Sequence, residues 1–172
     1  MNELNAKYAQ EIESILAKYP PDQKRSAVMP LLFLAQQEQG FIQDRALTEI
    51  SEILEIERSE VAALVGFYTL YHDQQGGKYR LQVCTDLGCA LRGADEFLEK
   101  LCSQLEIQPG ETTPDGLITI EEVKCLAACD RAPMYQVQTG SGITYHENQT
   151  VESTLEKIAR WKEQAERGEE SR

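Results

Sequence analysis

The chain has 172 residues, of which 41% are hydrophobic, and carries a formal net charge of −12. That size supports one ordinary domain or two small ones with real apolar cores. The acidity is even, with six Lys/Arg against twelve Asp/Glu in residues 1–75 and eleven against seventeen in residues 76–172; no basic patch offers itself to phosphates, which weighs against a nucleic-acid partner.

The start, Met1 to Leu4, lacks the basic flank and apolar core of a secretory signal. The longest nearly apolar run, Val28 to Ala35, is too short to cross a bilayer. The expectation is a soluble chain in a reducing compartment, where five thiols stay unpaired unless a metal takes them.

Helical spacing opens the chain. Leu4, Tyr8, Ile12, Ile15, Leu16 and Tyr19 recur at steps of three and four, predicting one helix that Pro20 and Pro21 end. A second helix is expected over Arg25 to Gln39, with Pro30 in its first turns and Gly40 past its end. Asp44 is the expected N-cap of a third, with a stripe of Ala46, Leu47, Ile50, Ile53 and Leu54. A fourth carries Val61, Leu64, Val65, Tyr68 and Leu70 and stops near Gly76 and Gly77. Four such helices make a small bundle.

Past those glycines the period changes. Tyr79 to Cys84 alternates like a half-buried strand, and Ala90 to Leu105 returns to helical spacing. A turn region holds Pro109, Gly110, Pro114, Asp115 and Gly116, and Leu117 to Val123 is strand-like. Met134 to Gln138 and Ile143 to His146 read as a hairpin around Gly140 to Gly142. Thr150 caps a last helix bearing Val151, Leu155, Ile158 and Trp161, and the polar stretch from Glu163 onward is expected to fray. The order strand, helix, strand, strand, strand, helix fits a small sheet faced by helices.

Four of the five cysteines form two short pairs: Cys84 and Cys89 enclose four residues, Cys125 and Cys129 three. Each pair follows a strand, so one sheet edge can present both. Four thiolates repel one another unless a metal neutralises them. The spacing favours a 2Fe-2S cluster over zinc, whose structural sites more often use a two-residue interval. A dithiol redox site is weaker, since neither pair has the thioredoxin interval; a Rieske site needs histidines, and His72 and His146 lie near no cysteine in sequence. A helix starting right after Cys89 would aim its amides at the sulfurs. Arg92, Lys124 and Arg131 flank the cysteines, either raising the cluster potential or serving as plain surface residues. Gly88, Ala127 and Ala128 are small enough to let backbone amides approach sulfur. Cys102, beside Leu101 and Leu105, reads as a buried small hydrophobe. The aromatic groups Phe67, Tyr68, Tyr71 and Tyr135, Tyr145 read as core, with part of the first as a docking surface.

Several ordered motifs carry a specific resemblance. Phe67-Tyr68-Thr69, Val83-Cys84-Thr85, Cys89 with Leu91-Arg92-Gly93, Thr112 to Gly116, and Cys125-Leu126 through Cys129 to Ala132-Pro133 resemble the thioredoxin-like 2Fe-2S subunit of NADH:quinone oxidoreductase, the small partner of the flavin-bearing subunit of respiratory complex I. The same motifs are similar to subunits of NAD-linked hydrogenases and formate dehydrogenases. The match runs from about Ser26 to about Trp161. It implies that Cys84, Cys89, Cys125 and Cys129 bind one 2Fe-2S cluster. It also implies a thioredoxin-like second domain and a helical first domain that helps grip the flavoprotein. Two positions depart from the pattern: Ala127 replaces a usual glycine, and Gly88 stands where proline is common.

The expected fold class is therefore α+β: an N-terminal small helical bundle over 1–75, a thioredoxin-like α/β domain over 76–165, and a frayed polar tail over 166–172. The expected function is a one-electron carrier subunit in an oxidoreductase acting on NADH. The resemblance implies FMN and NADH on the partner subunit; this chain itself has no glycine-rich dinucleotide fingerprint and is expected neither to bind NADH nor to turn over alone. A larger multisubunit complex is the expected setting, with no nucleic acid and no direct membrane insertion. The expected location is cytoplasmic, peripheral to the inner face of the membrane through that complex. Three alternatives remain: the same subunit in an NAD-linked hydrogenase or formate dehydrogenase, a zinc-stabilised thioredoxin-like adaptor without redox function, and a helix-turn-helix DNA binder over 44–54 and 58–71, which the −6 charge of its region opposes.

Overall fold

The computed structural model describes residues 2–37 and 39–167. Its contacts divide the chain into two compact units, Met1–Gln75 and Gly76–Arg172.

The first unit is helical. α1 (Glu3–Lys7) and α2 (Ala9–Leu16) replace the single predicted helix, because Tyr8 leaves helical geometry at φ −120° and ψ 34°. Leu4 and Ile12, on either side of this break, are both buried in the bundle core. A 3-10 segment, Pro21–Ala27, leads into α3 (Val28–Gln37), so the predicted start at Arg25 falls within that segment and Pro30 sits in the first turn of α3. α4 (Asp44–Leu54) is capped at Gln43, not Asp44. Asp44 is its first helical residue, where a carboxylate favours the dipole and pairs with Arg58. Glu49 was not anticipated as buried. Its carboxylate accepts the Glu3 and Leu4 amides at 2.8 and 3.3 Å, satisfying donors that α1 leaves open at its start.

α5 (Arg58–Phe67) ends well before Gly76, with Tyr68 already extended. The cause is a competing set of bonds. The buried Gln36 amide donates to the Leu70 carbonyl at 2.8 Å and accepts from the His72 amide at 2.8 Å, while the Tyr71 hydroxyl donates to the Met29 carbonyl at 3.0 Å. These bonds draw residues 70–72 onto α3. Phe67 and Tyr68 are left exposed rather than in the core.

The second unit holds a four-stranded mixed sheet in the order β2-β1-β3-β4, built from β1 (Tyr79–Cys84), β2 (Ile118–Val123), β3 (Tyr135–Thr139) and β4 (Gly142–His146). β1 runs parallel to β2 and antiparallel to β3, and β3 and β4 form the expected hairpin. β1 is buried at all six positions, not half-buried. Tyr79, Leu81 and Val83 join the apolar core with Phe97, Leu101 and Ile158, whereas Arg80 and Gln82 are buried against Glu121, to which both donate. Buried polar groups of this kind need such partners.

The helix expected over Ala90–Leu105 is two elements: α6 (Leu87–Ala90) and α7 (Ala94–Leu105), parted at Gly93, whose φ of +87° a residue with a side chain rarely adopts. Leu91 is consequently 80% exposed instead of facing the core. α8 (Val151–Glu166) starts with a reciprocal capping box between Thr150 and Ser153. It stays helical from Glu163 to Glu166, where fraying was expected; residues 168–172 of the expected tail lie outside the described residues. Tyr145, on the edge strand β4, is exposed, while Tyr135 is fully buried.

Candidate metal centre

Strand pairing brings the two cysteine loops together. β1 and β2 are parallel with Cys84 opposite Val123, and the Thr85 amide donates to the Val123 carbonyl at 3.1 Å, carrying the ladder one residue further. Cys84 ends β1, and Cys125 follows two residues after Val123. Both loops therefore leave the same edge of the sheet.

Cys89 lies inside α6, which packs against the short turn Cys129–Arg131. The approach is close enough that a Cβ added at Gly88 would meet Cys129 Cβ at 3.0 Å and its Sγ at 3.4 Å. Cys84 and Cys89 are 1% and 2% exposed, in an apolar pocket with Ala94, Ala132 and Met134. Burial pushes the Cys89 thiol up to about 12, and its hydrogen bond with Cys84 and the charges of Cys84, Cys129 and Asp86 add to that. Cys84 and Cys129 are thus both close enough to Cys89 to raise its thiol. Cys125 and Cys129 are exposed, and Cys125 and Ala127 hold left-handed backbone at φ 47° and 59°. Among the described residues, no group of three or more His, Cys, Asp or Glu is gathered around a single ion position.

The dipole argument for Cys89 needs correction. The long helix α7 starts at Ala94, five residues later, and the amides of Cys89 and Ala90 are both spent on the Asp86 carbonyl at 2.8 and 2.9 Å. Of the three cations flagged in the sequence, Lys124 pairs with Glu122 and Arg131 with Glu147 at 2.6 Å, so their charges are already partly answered, and Arg92 is exposed. Cys102 is buried among Leu98, Leu101 and Ile107, where burial raises its thiol. His146 stacks on Tyr135 at 5.0 Å and meets Trp161 edge-on.

Sequence reasoning missed two features. Leu87 and Leu91, one helical turn apart, are 73% and 80% exposed beside the cysteine loops; their i, i+4 spacing with Cys89 between them was the available signal. Thr85, Glu122 and Lys124 form a hydrogen-bonded group that links the two loops, and no sequence spacing announces it.

Residues 12–162 match the family described as thioredoxin-like 2Fe-2S ferredoxin. The chain belongs to that family. NADH-quinone oxidoreductase subunit 2 of Thermus thermophilus is 44% identical over 126 residues, covering 73% of this chain and 70% of that protein. A subunit of the NADH-quinone oxidoreductase of Rhizobium meliloti is 44% identical over 139 residues, covering 81% and 79%. These matches bear out the family read from the motifs, and the α+β architecture with it. A crystal structure of NAD+-reducing NiFe hydrogenase in the air-oxidized state superposes with a TM-score of 0.61 at 22% identity, over 76% of this chain and 23% of that one, a likeness of fold. No helix among the described residues is long and apolar enough to cross a membrane.

Proposed function

We propose that this chain is the 2Fe-2S subunit of an NADH:quinone oxidoreductase, holding its cluster on Cys84, Cys89, Cys125 and Cys129 and exchanging single electrons with the flavin of a partner subunit. The observation that carries this reading is the in-register parallel pairing of β1 and β2, which starts both cysteine loops at one sheet edge. Support for the ligand set comes from the closeness of Cys84 and Cys129 to Cys89 and from Gly88, whose lack of a side chain lets α6 lie against Cys129. Each iron of such a cluster takes two of the four thiolates, so the chemistry asks for two pairs of sulfurs rather than three on one ion. When bound, the cluster takes up and returns one electron at a time.

The protein's own part is positioning and exclusion of water. The apolar pocket around Cys84 and Cys89 keeps that side dry, while Cys125 and Cys129 stand on the exposed side. Leu87 and Leu91 give that side an apolar rim suited to a partner surface. In the helical unit, exposed Phe67 and Tyr68, with a groove lined by Ile15, Met29, Phe33 and Tyr71, suit a role in gripping the same partner.

The test is anaerobic purification followed by iron and acid-labile sulfide analysis. About two of each per chain are expected, with reduction by NADH only when the flavoprotein is added. Zinc without sulfide, or reduction of the isolated chain by NADH alone, overturns the proposal.

A further inference from the structure

We propose that Thr85, Glu122 and Lys124 form a clamp that fixes the separation of the two cysteine loops and so positions Cys84 and Cys125 for the cluster. This inference rests on the ligand assignment proposed above and adds residues that do not themselves touch metal.

Thr85 directly follows Cys84, and Lys124 directly precedes Cys125. The Thr85 hydroxyl donates to Glu122 Oε1 at 2.7 Å and accepts from Lys124 Nζ at 3.0 Å, while Lys124 Nζ also donates to the same carboxylate oxygen at 2.5 Å. Three groups thus close a ring across the ends of β1 and β2. The hydroxyl has one proton to give and lone pairs to receive, and this ring uses both capacities. Thr85 is buried at 7% exposure, so its hydroxyl has little water to fall back on.

Magnitude indicates what the ring is for. The Lys124 and Glu122 side chains are 65% and 46% exposed, and an ion pair so wet contributes little to folding. Fold stability is a poor explanation for it. Its location is informative: among the described residues, no further backbone bond of the β1/β2 ladder continues past Thr85 toward the cysteines, and Cys125 then turns left-handed. The side-chain ring takes over where the ladder stops. The Lys124 and Thr85 hydrogen bonds also hold the Glu122 carboxyl below its usual range.

The experiment compares Thr85→Val, Thr85→Ser and Glu122→Gln with the wild type and with Glu96→Gln, which breaks an exposed pair with Lys100 on α7. After anaerobic reconstitution with iron and sulfide, three quantities are read: iron and sulfide per chain, the rate of cluster loss to a chelator, and the melting temperature of the cluster-free chain. Thr85→Val and Glu122→Gln are expected to lose the cluster about 10- to 100-fold faster, the usual effect of removing a partner that orients a metal ligand. Their cluster-free melting temperatures should stay with that of Glu96→Gln, and Thr85→Ser should recover wild-type retention. A wild type that takes up no iron and sulfide overturns the ligand assignment and the clamp together. A wild type that loads while Thr85→Val and Glu122→Gln load and retain equally well overturns the clamp alone. So does a loss that tracks a fall in the cluster-free melting temperature and that Thr85→Ser fails to rescue.

Discussion

The two ends of the β1/β2 pair are finished by different chemistry. At the end where the strands begin, the chain closes on itself. The Gly77 amide donates to the Thr119 hydroxyl at 2.6 Å, the Ile118 amide to the Thr113 hydroxyl at 3.0 Å, and the Leu117 amide to Asp115, which also pairs with Lys162 at 2.8 Å. At the opposite end the Thr85, Glu122 and Lys124 ring spans the strands, and beyond it lie four thiols, with left-handed residues in one loop and a raised thiol in the other. One end is closed by the chain's own hydrogen bonds, whereas the other carries the proposed cluster ligands. Strand pairing thus serves two purposes, and substitutions should separate them.

The largest separation should come from the sulfurs. Cys84→Ser and Cys129→Ser are expected to abolish iron and sulfide uptake, while Cys102→Ala, in the apolar core between β1 and α7, keeps it; metal analysis of purified variants decides. Equal loss from Cys102→Ala breaks the assignment. Next in size is Gly77→Ala at the closed end. Its Cβ would lie 2.5 Å from the Leu117 carbonyl oxygen, a backbone atom with little room to yield. The expected cost is about 1–3 kcal/mol in urea unfolding, typical of forced overpacking, with cluster uptake by the folded fraction unchanged.

A smaller effect of opposite sign is expected from Ala127→Gly at the open end. Left-handed backbone costs a residue with a Cβ about 1–2 kcal/mol, and glycine returns only about 0.4–1 kcal/mol of that through its freer unfolded chain. The variant should therefore be more stable by roughly 1 kcal/mol or less, measured on the cluster-free chain.

The smallest effect concerns acid. Hydrogen bonds from Lys162 and Thr113 hold Asp115 down from 3.8 to about 2. A depressed carboxyl contributes stability that is present above the unfolded value and is lost as pH falls from 3.8 toward 2. Because the side chain is 42% exposed, the contribution should stay below about 1 kcal/mol. Unfolding of Asp115→Asn measured between pH 5 and 2 should lack that slope, leaving the cysteine end untouched.

Much of the candidate site was legible because it depends on short-range order. Strand β1 was read with its observed bounds, Thr150 as the cap of α8, and Cys102 as core, each from spacing alone. The misreadings share a cause. Gln36 pulls residues 70–72 away from α5 and Gly93 splits α6 from α7, so in each case the helical period yielded to a bond or a backbone angle that period does not encode. The exposed Leu91 is the plainest example. Its periodicity was helical, yet the helix it belonged to is not the one that meets the core.

By itself the sequence determined which side chains could bind metal, the family they mark, and the order of strands and helices, because thiol chemistry and hydrophobic period are local properties. Tertiary structure alone decided that β1 and β2 pair parallel with Cys84 beside Val123, that one cysteine pair is dry and the other wet, and that Thr85, Glu122 and Lys124 meet between them. Those facts depend on residues about 40 positions apart, and only packing the strands side by side brings them within hydrogen-bond reach.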